Sequence, residues 1–236
     1  MDFKDLRSKC MKQHLTAKQK TIIIILAICA VTLAICIAVG IILSNTVSKK
    51  ETVVKINGDP VSYSEFALLA EGLKSDVVTY FYTTHNVNEG IDFWDKGSNF
   101  GGEVPIEVLK EKTLSAVKEI KIEQELMVEY GVVKKSDTTF EAFSELLDQE
   151  NKRRSDIIKS GGEVYGPEQY SASGYYQYLH SIRLQELRET LFEESGSDKT
   201  EDRFSNELLQ ELIDERAQKT EVEKNDSVYN KINSFS

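Results

Sequence analysis

Asn151 and Arg154 stand one helical turn apart on a track otherwise marked by Phe140, Phe143, Leu147 and Ile158, where a 3.6-residue period asks for apolar side chains. An amide and a guanidinium in such places can do one of two things. They can clamp helices and the following Tyr165-Gly166-Pro167 loop into one body, or they can line a cleft that holds the backbone of another polypeptide. The clamp is the simpler expectation, because buried polar groups are normally satisfied within their own chain. The aromatic residues raise the same question. Tyr80-Phe81-Tyr82, Phe93-Trp94 and Tyr175-Tyr176-x-Tyr178 are crowded in sequence, and consecutive residues of a helix cannot all face one core. Either the loops at 85–103 and 161–172 cover them, or some floor a peptide-binding surface, for which aromatic rings offer large contact area at low entropic cost. On the second reading Tyr80, Trp94, Tyr175 and Tyr178 are the peptide-binding residues and share one partly exposed concavity.

Chemistry other than binding is thinly supplied. Beyond residue 45 there are two histidines, His85 and His180, and no cysteine, since Cys10, Cys29 and Cys36 all lie earlier. A zinc site needs spaced His and Cys ligands that this region lacks. Its carboxylates fall among lysines on helix faces, without the spacing of a calcium loop. His180 lies on the side of Leu184, Leu187 and Leu191, which suits a core histidine better than a general base. No G-x-S-x-G elbow, phosphate loop or dinucleotide fingerprint occurs. The sequence therefore predicts no catalytic residue, no metal, no cofactor and no enzyme.

Charge and hydropathy divide the chain. Residues 1–20 carry Lys4, Arg7, Lys9, Lys12, Lys18 and Lys20 against Asp2 and Asp5, a net charge of +4. Residues 21–44 are uncharged, so the whole-chain charge of −10 leaves −14 for residues 45–236. An acidic domain repels phosphate backbones, which argues against nucleic acid as a partner. Between Ile22 and Leu43 only Thr32 and Gly40 interrupt the apolar run, and about 20 such residues match a bilayer core of roughly 30 Å. This is a transmembrane helix by length, too long for the apolar part of a cleaved signal peptide. Ile28 and Ile35 precede Cys29 and Cys36 where a lipoprotein cleavage box needs a small residue, so both cysteines read as apolar filler. Six basic residues before the span against Lys49, Lys50 and Lys55 after it predict a cytoplasmic N-terminus and an extracytoplasmic C-terminal domain in the cell membrane. The expected organisation is a basic head at 1–20, a span at 21–44 in the lipid bilayer, a linker at 45–51 and an exported domain at 52–236.

Within that domain Thr52–Ile56 predicts a strand and Asn57-Gly58-Asp59-Pro60 a turn. Ser62-x-x-Glu65 has the form of a capping box, opening a helix with Phe66, Leu69, Leu73, Val77 and Tyr80 on its buried stripe and an end near Thr84. Pro105 starts a second helix, striped by Leu109, Thr113, Ala116, Ile120 and Met127 and capped at Gly131. Thr138-x-x-Glu141 is a second capping box, for a helix closed by Gly161-Gly162. Further helices are expected over about 171–194 and 200–219, and Thr220–Glu223 as a short strand. The fold class is mainly α: a helical domain with a small two-stranded sheet made from its two ends, preceded by a single transmembrane helix.

The pattern Val54-x-Ile56-Asn57-Gly58-x-x-Val61-Ser62-x-x-Glu65-Phe66 resembles the opening of the SurA/PrsA class of extracytoplasmic foldases, whose chaperone domain begins with a strand, an asparagine-glycine turn and a helix. Asn151-x-x-Arg154, Val164-Tyr165-Gly166 and the tyrosine-rich helix after them are similar to Gram-positive members, and Arg216–Ile232 resembles their closing helix and strand. The resemblance implies a SurA N-terminal-like chaperone domain whose first and last strands lie side by side, pairing Val53–Ile56 with Thr220–Glu223. Family members often carry a parvulin prolyl isomerase domain before the closing helix. Here the interval from Glu194 to Thr200 leaves no room for one, so isomerase activity is not implied. The expected function is a membrane-anchored, chaperone-like protein that binds unfolded or exported polypeptides. The alternative is an envelope scaffold that recruits one fixed protein partner.

Overall fold

The computed structural model describes residues 31–32, 47–195 and 201–235. The basic head and, apart from residues 31–32, the apolar run at 21–44 lie outside the described residues. Among the described residues no helix is long and apolar enough to cross a membrane. Contacts divide the chain between Thr46 and Val47, and Val47–Ser236 forms one compact unit.

This unit is mainly helical with a small antiparallel sheet. Its elements are β1 (Thr52–Ile56), β2 (Asp59–Ser62), α1 (Tyr63–His85), α2 (Pro105–Glu129), a 3-10 turn (Lys135–Thr138), α3 (Phe140–Lys159), α4 (Ala172–Ser195), α5 (Glu201–Lys219), β3 (Val222–Lys224) and a short α6 (Asp226–Tyr229). The sheet has three strands in the order β2-β1-β3, not the two expected. Asn57 and Gly58, at φ 51° and 83°, complete the reversal by themselves. Two successive positive-φ residues make the tight hairpin that matches strand twist. Asp59 and Pro60 are thereby released into β2, where Pro60 sits on an edge strand that needs no donor on its open side. The pairing of the domain's two ends is present, with Ile56 opposite Val222 and Val54 opposite Lys224. The closing strand begins at Val222 because α5 runs on to Lys219 and Thr220 Oγ1 donates back to the Arg216 carbonyl at 2.7 Å.

The expected linker is part of the domain from Val47 onward. Tyr63 N–H donates to the Glu51 carbonyl at 2.8 Å and Ser64 N–H to the Lys49 carbonyl at 3.1 Å, while Ser62 Oγ accepts from Glu65 N–H at 3.2 Å. Three of the orphan donors at the start of α1 are thus satisfied. The Ser62–Glu65 capping box is only half made, since the Glu65 carboxylate turns inward to Lys121. The second box is displaced by one residue. Thr139 is the N-cap, accepting from Ala142 N–H at 3.1 Å, while Thr138 closes the 3-10 turn by donating to the Lys135 carbonyl at 2.9 Å. Gly131 and Gly161 end α2 and α3 at positive φ, each with a following N–H returned to a last-turn carbonyl.

Three buried clusters share α2 as their axis. The first joins the sheet and α1 to the start of α2 and to the C-terminal segment, whose Tyr229 and Phe235 rings meet Phe66 at 6.0 and 5.9 Å. The second packs Ile122, Leu126 and Met127 against Leu187, Leu191, Leu209 and Ile213. The third gathers Phe143, Tyr175 and Tyr176 with Leu69, Ile120 and Phe140 around them. Because α2 is covered on more than one side, the single stripe expected for it is replaced by a broader buried surface that includes Ile106, Val117, Lys110 and Lys121, with Ala116 and Ile120 only half-buried. On α1, Phe66, Ala70, Val77 and Phe81 form the buried line, and Leu69, Leu73 and Tyr80 flank it. Ile158 leaves the α3 stripe and is exposed.

Candidate functional site

The 163–171 loop and the first turns of α4 form a tyrosine-rich surface carried by α3. Asn151 reads the loop backbone as another peptide would: its Nδ2 donates to the Tyr170 carbonyl at 3.0 Å and its Oδ1 accepts from Tyr170 N–H at 2.8 Å. Arg154, buried at 6% exposure, donates through Nη1 to the carbonyls of Tyr165 at 3.0 Å and Pro167 at 2.6 Å. Its Nε donates to Glu150 Oε1 at 2.8 Å, and its guanidinium lies 4.5 Å from the centre of the Tyr170 ring. These contacts are those of an internal clamp rather than of a cleft awaiting a foreign backbone. The Arg153 guanidinium, bonded to Glu150, holds that carboxyl below the usual carboxylate range; partial burial opposes this and Arg154 adds to it.

On this support the rings of Tyr170, Tyr175 and Tyr178 lie 5.3 to 6.2 Å apart, with Tyr170 and Tyr178 stacked. Tyr175 is buried against Phe143, whereas Tyr178 is 48% exposed and Tyr165, held by its carbonyl, is fully exposed. Tyr80 and Trp94 belong elsewhere. They flank the first cluster, where rings run from Tyr80 to Phe81 to Phe93 to Trp94 at 5.4, 5.5 and 4.9 Å. Tyr80 Oη donates to Glu103 Oε2 at 2.7 Å, an oxygen that His85 Nε2 also meets at 2.9 Å, and Trp94 Nε1 donates to Glu89 at 2.7 Å. The four aromatics expected to share one concavity thus divide into two pairs in different clusters. The reason is that α1 presents Phe81 to the core, so Tyr80 falls at the rim under the 86–104 loop and Tyr82 faces outward. Tyr170, absent from the expected set, joins the ring group half-buried, and Tyr165, also absent, stands fully exposed on the same loop. Their signal was the Val-Tyr-Gly-Pro stretch next to the Asn151–Arg154 pair.

A second polar centre lies between α1, α2, α4 and the start of α3. Glu65 Oε1 and Lys121 Nζ are 2.7 Å apart, with side chains 4% and 9% exposed. Burial pushes the Glu65 carboxyl up, and the Lys121 ammonium draws it back. Two cavities flank the pair. One, of about 190 Å³, is bounded by β2, Lys121 and the 3-10 turn leading into α3, with Asp59 and Lys135 paired at its edge. The other, of about 20 Å³, reaches Gln124, Tyr176, His180 and Arg183. There the Tyr176 hydroxyl is buried beside Gln124, and burial pushes its phenol strongly up. His180 Nε2 meets Glu123 Oε2 at 2.7 Å, and its ring stacks 6.4 Å from Tyr176. Glu65 was readable only as a cap, and Lys121 only as one more helix lysine. The available signal was that Lys110 and Lys121 fall on the track of Ile106, Val117 and Leu114.

Among the described residues no group of three or more His, Cys, Asp or Glu side chains is arranged to hold a metal ion. Comparison of the chain with models of protein families, with curated proteins and with solved structures finds no match.

Proposed function

We propose that this chain is a membrane-anchored, extracytoplasmic chaperone-like protein that binds unfolded or exported polypeptides, with no prolyl isomerase or other catalytic activity. The observation that carries the reading is the exposed tyrosine surface on a clamped loop. Tyr165 and Tyr178 present aromatic area to solvent, and Asn151 and Arg154 hold the loop backbone at Tyr165, Pro167 and Tyr170, whose ring stacks on Tyr178. The Tyr178 ring, stacked on Tyr170, loses little freedom when a client binds, so its contact area is converted to affinity efficiently. Reversible capture needs only such a surface, without a deep pocket or a cofactor. The charge of −14 on residues 45–236 opposes self-association and favours basic clients. The apolar run at 21–44 supports the anchor, and the basic head supports a cytoplasmic N-terminus. The joined first and last strands agree with the architecture that the SurA/PrsA resemblance implies.

The test is light scattering of a chemically unfolded client in the presence of the compact unit 47–236. Suppression of aggregation near stoichiometric amounts is expected, together with its loss when Tyr165 and Tyr178 are both replaced by Ser. Absence of suppression across basic and neutral clients would overturn the reading and turn attention to an envelope scaffold with one fixed partner, to be sought by crosslinking in the membrane.

A further inference from the structure

The Glu65–Lys121 pair makes few polar contacts beyond itself. Among the described residues Lys121 has Glu65 Oε1 as its one partner, and Glu65 Oε2 has none. A buried ammonium and carboxylate normally need further hydrogen bonds to offset their desolvation. Both residues line the 190 Å³ cleft, and Glu65 also borders the smaller cavity beside it. The charged side chains of the cleft balance: Lys50, Lys121 and Lys135 against Asp59, Glu65 and Glu141. A net-neutral lining gives no advantage to an anion or a cation, and a polar floor gives none to a hydrocarbon. What fits is a neutral group presenting an acceptor and a donor side by side, which is an amide.

We propose that this cleft binds a carboxamide, its carbonyl oxygen accepting from Lys121 Nζ and its N–H donating to Glu65 Oε2. Phe140 and Pro60, also in the lining, supply apolar wall for the methylenes of a glutamine-like side chain. The volume of about 190 Å³ is below the roughly 300–1,000 Å³ of sites for drug-sized ligands, so one amide side chain or an equally small free amide is the occupant. The site shares no lining residue with the tyrosine surface and does not depend on client capture there.

The full chain in detergent micelles, labelled with 15N, is titrated into the millimolar range with propionamide and with the tripeptide Gly-Gln-Gly, and with Gly-Glu-Gly and Gly-Lys-Gly as charged controls. Saturable shifts at Ser62, Lys121 and Thr139 are expected with both amides, and binding at least about tenfold weaker with either control. Equal affinity for propionamide and Gly-Gln-Gly identifies a free small amide as the source, and tighter tripeptide binding identifies a client side chain. No saturable shift, or equal response to Gly-Glu-Gly, overturns the proposal. Replacing Glu65→Gln and Lys121→Met together is expected to abolish the response. Should that variant fail to fold, the wild-type shift map still decides whether the amide sits in this cleft.

Discussion

Glu65, in the first turn of α1, and Lys121, midway along α2, form a 2.7 Å ion pair inside the domain, although their local sequence marks them as a helix cap and a surface lysine. Removing one member of such a pair strands the other, which typically costs about 3–5 kcal/mol. Lys121→Ala is therefore expected to lower the urea midpoint sharply, and Glu65→Gln with Lys121→Met to recover most of the loss. Equal destabilisation by the single and double variants would show that the pair contributes through packing alone.

The clamp predicts a local rather than a global effect. Arg154→Ala removes charged donors from the Tyr165 and Pro167 carbonyls, a loss of about 2–4 kcal/mol. Arg154→Lys is expected not to rescue it, because one ammonium cannot span the two carbonyls, Glu150 and the Tyr170 ring as a planar guanidinium does. Hydrogen exchange is the measurement: the Tyr170 amide, held by Asn151, should lose protection while amides around Leu109 keep theirs.

Glu150 sets an acid limb. Its folded-state pKa lies below the unfolded value, so its stabilisation is complete above the ordinary carboxylate range of about 4 to 4.5. It is lost as pH falls through the depressed folded value, where the folded protein must take up the proton last. Glu150→Gln should thus flatten the decline of stability in acid, seen in urea midpoints measured from neutral pH downward. An unchanged acid slope would exclude Glu150 as a contributor.

Asn57 joins three elements. Its Nδ2 donates to Glu125 Oε1 at 2.8 Å and its Oδ1 accepts from Glu221 N–H at 2.9 Å, while its own backbone holds positive φ. Asn57→Gly keeps the turn and loses the ties; Asn57→Ala loses the ties and adds left-handed strain, for a further loss of about 1 kcal/mol. Both are expected to speed amide exchange in β3, and Ala should lower the thermal midpoint more than Gly. Identical midpoints for the two would remove the backbone term.

What can be read from one chain follows from interactions close in sequence. The helices at 63–85, 105–129, 140–159, 172–195 and 201–219 follow apolar periodicity, Pro105 and the positive-φ glycines at 131 and 161, and each of these signals acts within a few residues. Charge sums and the apolar run at 21–44 are likewise sequence properties. Asn151 and Arg154 were legible because polar residues broke a local pattern. Strand β2 was missed, its first two residues being read as part of the turn, and β3 was expected to start two residues early, because a strand end depends on its neighbour across the sheet.

Tertiary structure alone decided the rest. Only the packing of α1, α2 and α4 around one another separates Tyr80 and Trp94 from Tyr175 and Tyr178, and only it turns Glu65 away from its cap to meet Lys121 across 56 positions of sequence. Local propensity acts through neighbours along the chain. Burial, by contrast, depends on what lies beside a residue once the chain has folded, and in a domain whose central helix is covered on several sides no single periodic stripe encodes it.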